Sequence, residues 1–286
     1  MAWTVKDKTV LVTGATSGIG LEASVELARQ GARVVLVGRD RGRAEAAVAA
    51  VRDRAGADVP GASYLLCDFS SQASIRALAR EFAAGHDRLD VLVNNAGAVN
   101  KVRRLTEDGI EMTFAVNHLG YFLLTNLLLD LLLASAPARV VTVASIGHRS
   151  GTLDFDDLGY ERGYQIMRAY ARSKLANVVF ANELARRLDG TGVTSNSLHP
   201  GAVNTNIWSG APTWAKPVIG LFLRPFFISP ERGAEPIVQL ASSPDLDSVS
   251  GAYFEKGVPV APAQLAQDPD LAARLWKVSA ELVGLG

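Results

Sequence analysis

The sequence has one cysteine, four histidines, three methionines and equal numbers of acidic and basic residues. Each scarcity excludes a class of protein. A lone Cys67 allows no intramolecular disulfide, and no Cys/His spacing suits zinc, so neither a disulfide scaffold nor a zinc module is expected. A net charge of zero gives no support for phosphate neutralisation, so nucleic acid is not an expected partner. Long hydrophobic runs are also missing. The most apolar stretches, 122–133 and 218–228, are broken by Asn126 and Asp130 and by Arg224 and Pro225. Both fall short of the ~20 residues that span a bilayer, and the N-terminus reads without a signal peptide or anchor. A cytoplasmic location is the expectation that follows.

What is present is a 48% hydrophobic chain of 286 residues, enough for a large core. Short apolar runs at 9–12, 33–37, 63–67, 91–93, 139–144, 193–198 and 252–254 read as strands. Helical spacing covers 19–30, 41–54, 71–84, 108–134, 164–188 and 230–241. Regular β-α alternation with strands apolar on both faces predicts an α/β fold: a single-domain, doubly wound parallel sheet of about seven strands with helices on both sides. One domain over 1–286 is expected, with an aromatic-rich insertion at 205–229 and a tail at 261–286. The insertion carries Trp208, Trp214, Phe222, Phe226 and Phe227, which suits a lid over a lipophilic substrate or an interface between copies.

Thr13-Gly14-Ala15-Thr16-Ser17-Gly18-Ile19-Gly20 follows the first strand and opens a helix. Gly14 permits a tight turn, Gly18 a close backbone approach to pyrophosphate, and Gly20 close helix–strand packing. The helix start offers free N–H groups to phosphate. Gly38 and Arg39 stand at the tip of the second strand, where an acidic residue would select NAD. A small residue and a guanidinium there favour the 2′-phosphate of NADP(H) over NAD(H). Asp40 is expected to cap the next helix.

Tyr170 and Lys174 stand i, i+4 on one helix face, where an ammonium is expected to lower the phenol pKa and make Tyr170 a general acid or base. Ser145 ends the fifth strand and Asn94-Asn95-Ala96-Gly97 ends the fourth, at the sheet edge where ligands bind. Cys67 reads as a buried strand residue, and His118 and His148 as satisfied structural histidines.

These features together resemble the short-chain dehydrogenase/reductase family: the Thr13–Gly20 turn, Asn94–Gly97, Ser145, Tyr170 with Lys174, and Pro200-Gly201. Asn117-His118-Leu119-Gly120-Tyr121, Ser173-Lys174-Leu175-Ala176-Asn177 and the long Ser145–Tyr170 spacer are similar to its retinol dehydrogenase-like branch. The resemblance implies hydride transfer between a nicotinamide and a carbonyl or alcohol. Ser145, Tyr170, Lys174 and Asn117 form the implied catalytic set, with Asn117 anchoring a water that relays protons to Lys174. The implied cofactor contacts are Gly14, Thr16, Ser17, Gly18, Ile19, Gly20, Arg39, Asp68, Phe69, Asn95, Ala96, Gly97, Tyr170, Lys174, Pro200, Gly201, Val203 and Thr205. A homodimer or homotetramer through the helix pair 111–134 and 164–188 is also implied. A ketoreductase for a polyketide or steroid-like ring remains an alternative, as do a light-driven pigment reductase and a catalytically silent NADP-sensing or scaffold protein.

Overall fold

A computed structural model describes residues 2–56, 60–202 and 228–286. Among them, an eight-stranded sheet runs in the order β3-β2-β1-β4-β5-β6-β7-β8. Its strands are β1 (Thr9–Thr13), β2 (Arg33–Gly38), β3 (Ser63–Leu66), β4 (Val91–Asn94), β5 (Ala138–Val143), β6 (Val193–His199), β7 (Tyr253–Glu255) and β8 (Val258–Val260). All neighbours are parallel except β7 and β8. The sheet is buried on both faces because its strands alternate between two apolar layers. Leu11 and Leu92 pack into one layer, and Val10, Val12, Val91 and Val93 into the other.

Helices α1 (Gly18–Arg29), α2 (Arg41–Ala55) and α3 (Gln72–Gly85) alternate with the first strands. Asp40 caps α2 by accepting from the Arg43 N–H at 2.8 Å, as expected. Strand β1 lies between β2 and β4, so the chain reverses its direction of winding there. That reversal opens a crevice beyond the carboxyl ends of β1 and β4.

Three elements depart from the sequence reading. The helix expected over 108–134 begins only at Met112, because Gly109 takes φ +77° in a turn closed by Thr106 and Ile110. Buried Glu111 caps this start by accepting from the Thr113 and Phe114 N–H groups, both at 2.8 Å. The segment then runs as α4 (Met112–Phe114), a π turn (Ala115–Leu119), α5 (Gly120–Leu127) and α6 (Leu129–Ala134). The long helix α7 starts at Ile166 rather than 164, after Gly163 at φ +68°. An eighth strand joins the sheet through a two-residue hairpin, Lys256-Gly257, with φ 51° and 77°. Positive φ at both positions is the type I′ geometry, usually signalled by Asn-Gly or Asp-Gly, so a lysine there gives little warning.

The insertion expected at 205–229 lies outside the described residues except for Ile228 and Ser229. Ser229 caps α8 (Pro230–Ser242). The tail is part of the core. Helix α9 (Pro269–Leu282) packs on α7 and α5, with Trp276 against Phe122 and Phe180 at ring separations of 4.9 and 5.9 Å. His118 shares a 2.9 Å hydrogen bond with Ser279 across this contact. The helix face expected to meet a second copy is therefore occupied by the chain's own C-terminal helix. No described helix is long and apolar enough to cross a membrane.

Candidate active site

A cleft of about 1070 Å³ follows the crevice beyond β1, β4 and β5. It exceeds the ~300–1,000 Å³ of an ordinary ligand pocket, which leaves room for a dinucleotide and a second molecule. At one end, Gly14 turns at φ +64°, and a Cβ there would lie 2.7 Å from the Ala96 Cα. A Cβ on Gly20 would lie 2.6 Å from the Gly14 carbonyl oxygen. A side chain at either position would meet backbone atoms, which accounts for glycine at both. Gly20 packs behind the turn and does not line the cleft, whereas Thr16, Ser17, Gly18 and Ile19 do. Ser17 stands at the N-cap of α1 without a side-chain cap bond, so it leaves the first N–H groups facing the cleft uncapped.

Thr13 ties this turn to β4. Its hydroxyl donates to the Val93 carbonyl and accepts from the Asn95 and Ala96 N–H groups at 2.8 and 3.0 Å. The Asn95 amide donates to the Thr13 and Gly14 carbonyls. Asn95 thus braces the turn, and Ala96 and Gly97 present backbone beside it. Asp68 and Phe69 also line the cleft. Asp68 accepts from the Ser70 N–H and hydroxyl, and Phe69 packs where a Cβ on Gly120 would lie 2.6 Å from its ring.

Gly38, Arg39, Asp40 and Arg43 surround the far end. A Cβ on Gly38 would meet the Thr16 methyl at 2.3 Å, so any side chain there would require Thr16 to turn away. Arg43 was not expected. It reaches the Ser17 hydroxyl at 3.3 Å from the first turn of α2, and no spacing in the sequence singled it out.

Ser145, Tyr170 and Lys174 line the other half of the cleft, with Pro200 and Gly201. Val203 and Thr205 lie outside the described residues. Ser145 follows β5, and its hydroxyl accepts from the Gly147 N–H at 3.1 Å and is hydrogen-bonded to Tyr170. Gly147 lies beside both: a Cβ there would make ordinary contacts, 3.5 Å from the Ser145 Oγ and 3.7 Å from the Tyr170 ring. Lys174 is buried, donates to the Val143 carbonyl at 2.9 Å, and holds its Nζ 5.8 Å from the Tyr170 ring centre.

The electrostatics differ from the sequence reading. Burial raises the Tyr170 phenol above its ordinary value, and the Ser145 hydrogen bond only partly opposes this. Burial also brings the Lys174 ammonium down to about 7. A pair desolvated without an opposite charge disfavours both charged forms, so Lys174 does not by itself produce a phenolate.

Asn117 is fully buried in the π turn. Its side chain accepts from the Ala98 N–H at 2.7 Å and donates to the Ala98 carbonyl and the Ser173 hydroxyl, both at 3.0 Å. It clamps the end of β4 to α7 beside Lys174, and both its amide hydrogens are used. His199, also missed in the sequence, ends β6 and lines the cleft. Its signal was its place directly before Pro200-Gly201. Cys67 is buried, with its thiol pushed up to about 12 by desolvation, which suits a structural residue. Among the described residues, no group of three or more His, Cys, Asp or Glu side chains is placed to hold a metal ion.

Val99, Met112, Val116, Ile146 and Met167 give the cleft an apolar wall next to Ser145, with Arg104 at its rim.

Comparison with known proteins agrees with this geometry. The short chain dehydrogenase family model matches residues 8–216. The human protein retinol dehydrogenase 14 is 46% identical over 97% of this chain and 87% of its own length. Human retinol dehydrogenase 13 is 45% identical over 99% of this chain and 86% of its own length. Among solved structures, an uncharacterized protein from Mycobacterium Paratuberculosis superposes with a TM-score of 0.79 at 32% identity, covering 99% of this chain and 98% of that one. The Pseudomonas aeruginosa RhlG/NADP active-site complex superposes with a TM-score of 0.71 at 26% identity, covering 88% of this chain and 95% of that one. The chain belongs to the short-chain dehydrogenase family, in its retinol dehydrogenase-like branch, and is an oxidoreductase of that family.

Proposed function

We propose that this protein transfers hydride between NADP(H) and a carbonyl or alcohol carbon of a lipophilic small molecule. The observation that carries this is the meeting of Ser145, Tyr170 and Lys174 with the glycine turn in one cleft. The residues fit the cofactor: two glycines pack where no Cβ has room, and an uncapped helix start faces the cleft. The RhlG complex contains NADP in the same fold, which supports a nicotinamide cofactor here. Gly14, Thr16, Ser17, Gly18 and Ile19 would hold the pyrophosphate, and Asp68 and Phe69 would border the adenine. Arg39 and Arg43 would pair with a 2′-phosphate. Ala96, Gly97, Pro200 and Gly201 would border the nicotinamide half. When bound, the group supplies or accepts hydride, and its oxidised ring is a cation that favours the Tyr170 phenolate.

In the reductive direction Ser145 donates to the substrate oxygen. The Gly147 N–H occupies one of its lone pairs and leaves the hydroxyl proton for this use. Tyr170 gives its phenolic proton to the same oxygen as negative charge develops there. Lys174, whose ammonium burial brings down to about 7, is placed to restore that proton and to contribute positive charge beside the phenol. Asn117 acts as a positioning residue for both elements. The apolar wall of Val99, Met112, Val116, Ile146 and Met167 supports a lipophilic small-molecule substrate. Assembly as a homodimer or homotetramer would use surfaces other than the α5–α7 face, which α9 covers.

The test is loss of NADPH absorbance across a panel of aldehydes and ketones, including steroid-like and polyketide-like rings. Turnover by wild type and none by Tyr170→Phe, with NADPH affinity kept, is expected. NADPH binding without turnover on every compound would favour a sensor, and preference for the ring compounds a biosynthetic ketoreductase. Retained turnover in Tyr170→Phe would refute the catalytic assignment.

A further inference from the structure

His148 lies three residues after Ser145 in a 3-10 turn (Ile146–Ser150), and its side chain is fully buried. Its Nδ1 is 2.8 Å from the Ser145 carbonyl oxygen, and its Nε2 is 3.0 Å from the Ala263 nitrogen. Both partners are backbone groups of fixed polarity. A carbonyl can only accept, so Nδ1 carries the hydrogen. An N–H can only donate, so Nε2 offers its lone pair. One neutral tautomer satisfies both contacts. The ring also packs edge-on against Tyr253 at 4.6 Å. Ala263 begins the short turn Gln264–Gln267 that leads into α9, and Ala266 of that turn is anchored to α7 by Asn182 at 2.9 Å.

We propose that His148 is a positioning residue for Ser145, joining the catalytic end of β5 to the C-terminal segment through this pair of backbone hydrogen bonds. The Ser145 carbonyl receives a second bond from the His148 N–H at 3.1 Å, so imidazole and turn together set the peptide that aims the serine hydroxyl. The tail therefore acts behind the reaction centre, where it supports the serine.

The arrangement is sensitive to protonation. An added proton on Nε2 would face the Ala263 N–H, donor against donor, and break the link. Burial and the Arg149 charge hold the imidazole below its ordinary value, while the Ser145 carbonyl and Glu255 act the other way. His199 is the other titratable group coupled to it, and Arg149 and Glu255 are joined at 2.9 Å.

The proposal rests on the dehydrogenase reading, and wild-type NADPH oxidation tests that reading separately. Three variants test His148. His148→Phe keeps an aromatic ring but loses both bonds. His148→Asn keeps a donor near the Nδ1 position. Ala263→Pro removes only the N–H donor, at a residue whose φ of −56° proline already adopts. Loss of both positioning hydrogen bonds is expected to lower kcat about tenfold or more in His148→Phe. NADPH affinity should stay within about twofold, since no cofactor contact changes; that bound is well under the ~1.4 kcal/mol of a tenfold shift. His148→Asn should recover part of the rate, and Ala263→Pro should lower kcat without moving NADPH affinity. The acid loss of kcat that belongs to His148 should be missing from His148→Asn, while the limb set by Lys174 remains. Active wild type with unchanged kcat and pH profile in His148→Asn and Ala263→Pro would overturn the proposal. Parallel loss of kcat and NADPH affinity would also overturn it, because that is the signature of general structural damage.

Discussion

Replacing Arg39 and Arg43 by serine, singly and together, asks whether the far end of the cleft reads a 2′-phosphate. Both guanidiniums line that end, and both are exposed. A hydrogen bond to a charged group has a net value of about 1.5–3 kcal/mol, and screening at an exposed site reduces it to roughly 1–1.5 kcal/mol. Each substitution should therefore weaken NADPH about 5–10-fold. The double variant should fall short of the product of the two, because both side chains would share one phosphate. NADH has no group there and should keep its affinity within about twofold, a few tenths of a kcal/mol. Arg43 also reaches the Ser17 hydroxyl at 3.3 Å, so Arg43→Lys is the control that keeps charge and loses that contact. The assay is fluorescence titration with both cofactors at low and high salt. The NADPH preference should shrink as salt rises. Equal losses for NADPH and NADH, or no loss in the double variant, would refute the reasoning.

Further outcomes follow from the same contacts. Gly20→Ala places a methyl 2.5 Å from the Asn95 amide nitrogen and 2.6 Å from the Gly14 oxygen, so thermal stability should fall by about 1–3 kcal/mol with both cofactors weakened; an unchanged melting curve would contradict the packing. Burial lowers the His118 imidazole to about 3. Its folded value lies below the unfolded one, so the unfolded chain takes the proton first and stability drops as pH falls. Urea midpoints should show a loss of about 1.4 kcal/mol per pH unit from this group between pH ~6.5 and ~3. His118→Phe should remove that increment, and identical pH dependence in both proteins would rule the explanation out. Deleting residues 269–286 exposes Phe122 and Phe180, and size-exclusion chromatography should then show self-association, whereas an unaltered elution volume would mean the face does not need its cover.

The comparison of sequence and structure divides along one physical line. Periodicity and punctuation are local, so β1 to β7, the Gly14 turn and the Asp40 cap could be read directly. Ser145, Tyr170 and Lys174 were legible because each stands at a strand end or on one helix face, positions that fold class alone brings to one edge. The π turn at Ala115–Leu119 and the Lys256-Gly257 hairpin have no strong residue signature and were missed. Arg43 was not singled out in the sequence, since only the packing of α2 beside the glycine turn brings it to the cleft. The tail at 261–286 was given no place in the core, because the contacts of α9 with α5 and α7 are long-range and no local pattern names the partner.

Chain chemistry alone determined the α/β class, the glycine turn and which side chains, Ser145, Tyr170 and Lys174, meet in one cleft, because those depend on residue type at fixed spacing. Tertiary structure decided the electrostatics. The i, i+4 pair promised a lowered phenol, but burial without a countercharge raised Tyr170 and brought Lys174 down to about 7. It also decided that His148, one of four histidines, stands between Ser145 and the C-terminal segment. Solvation and long-range contact depend on everything that surrounds a residue, and no local pattern in the chain records them.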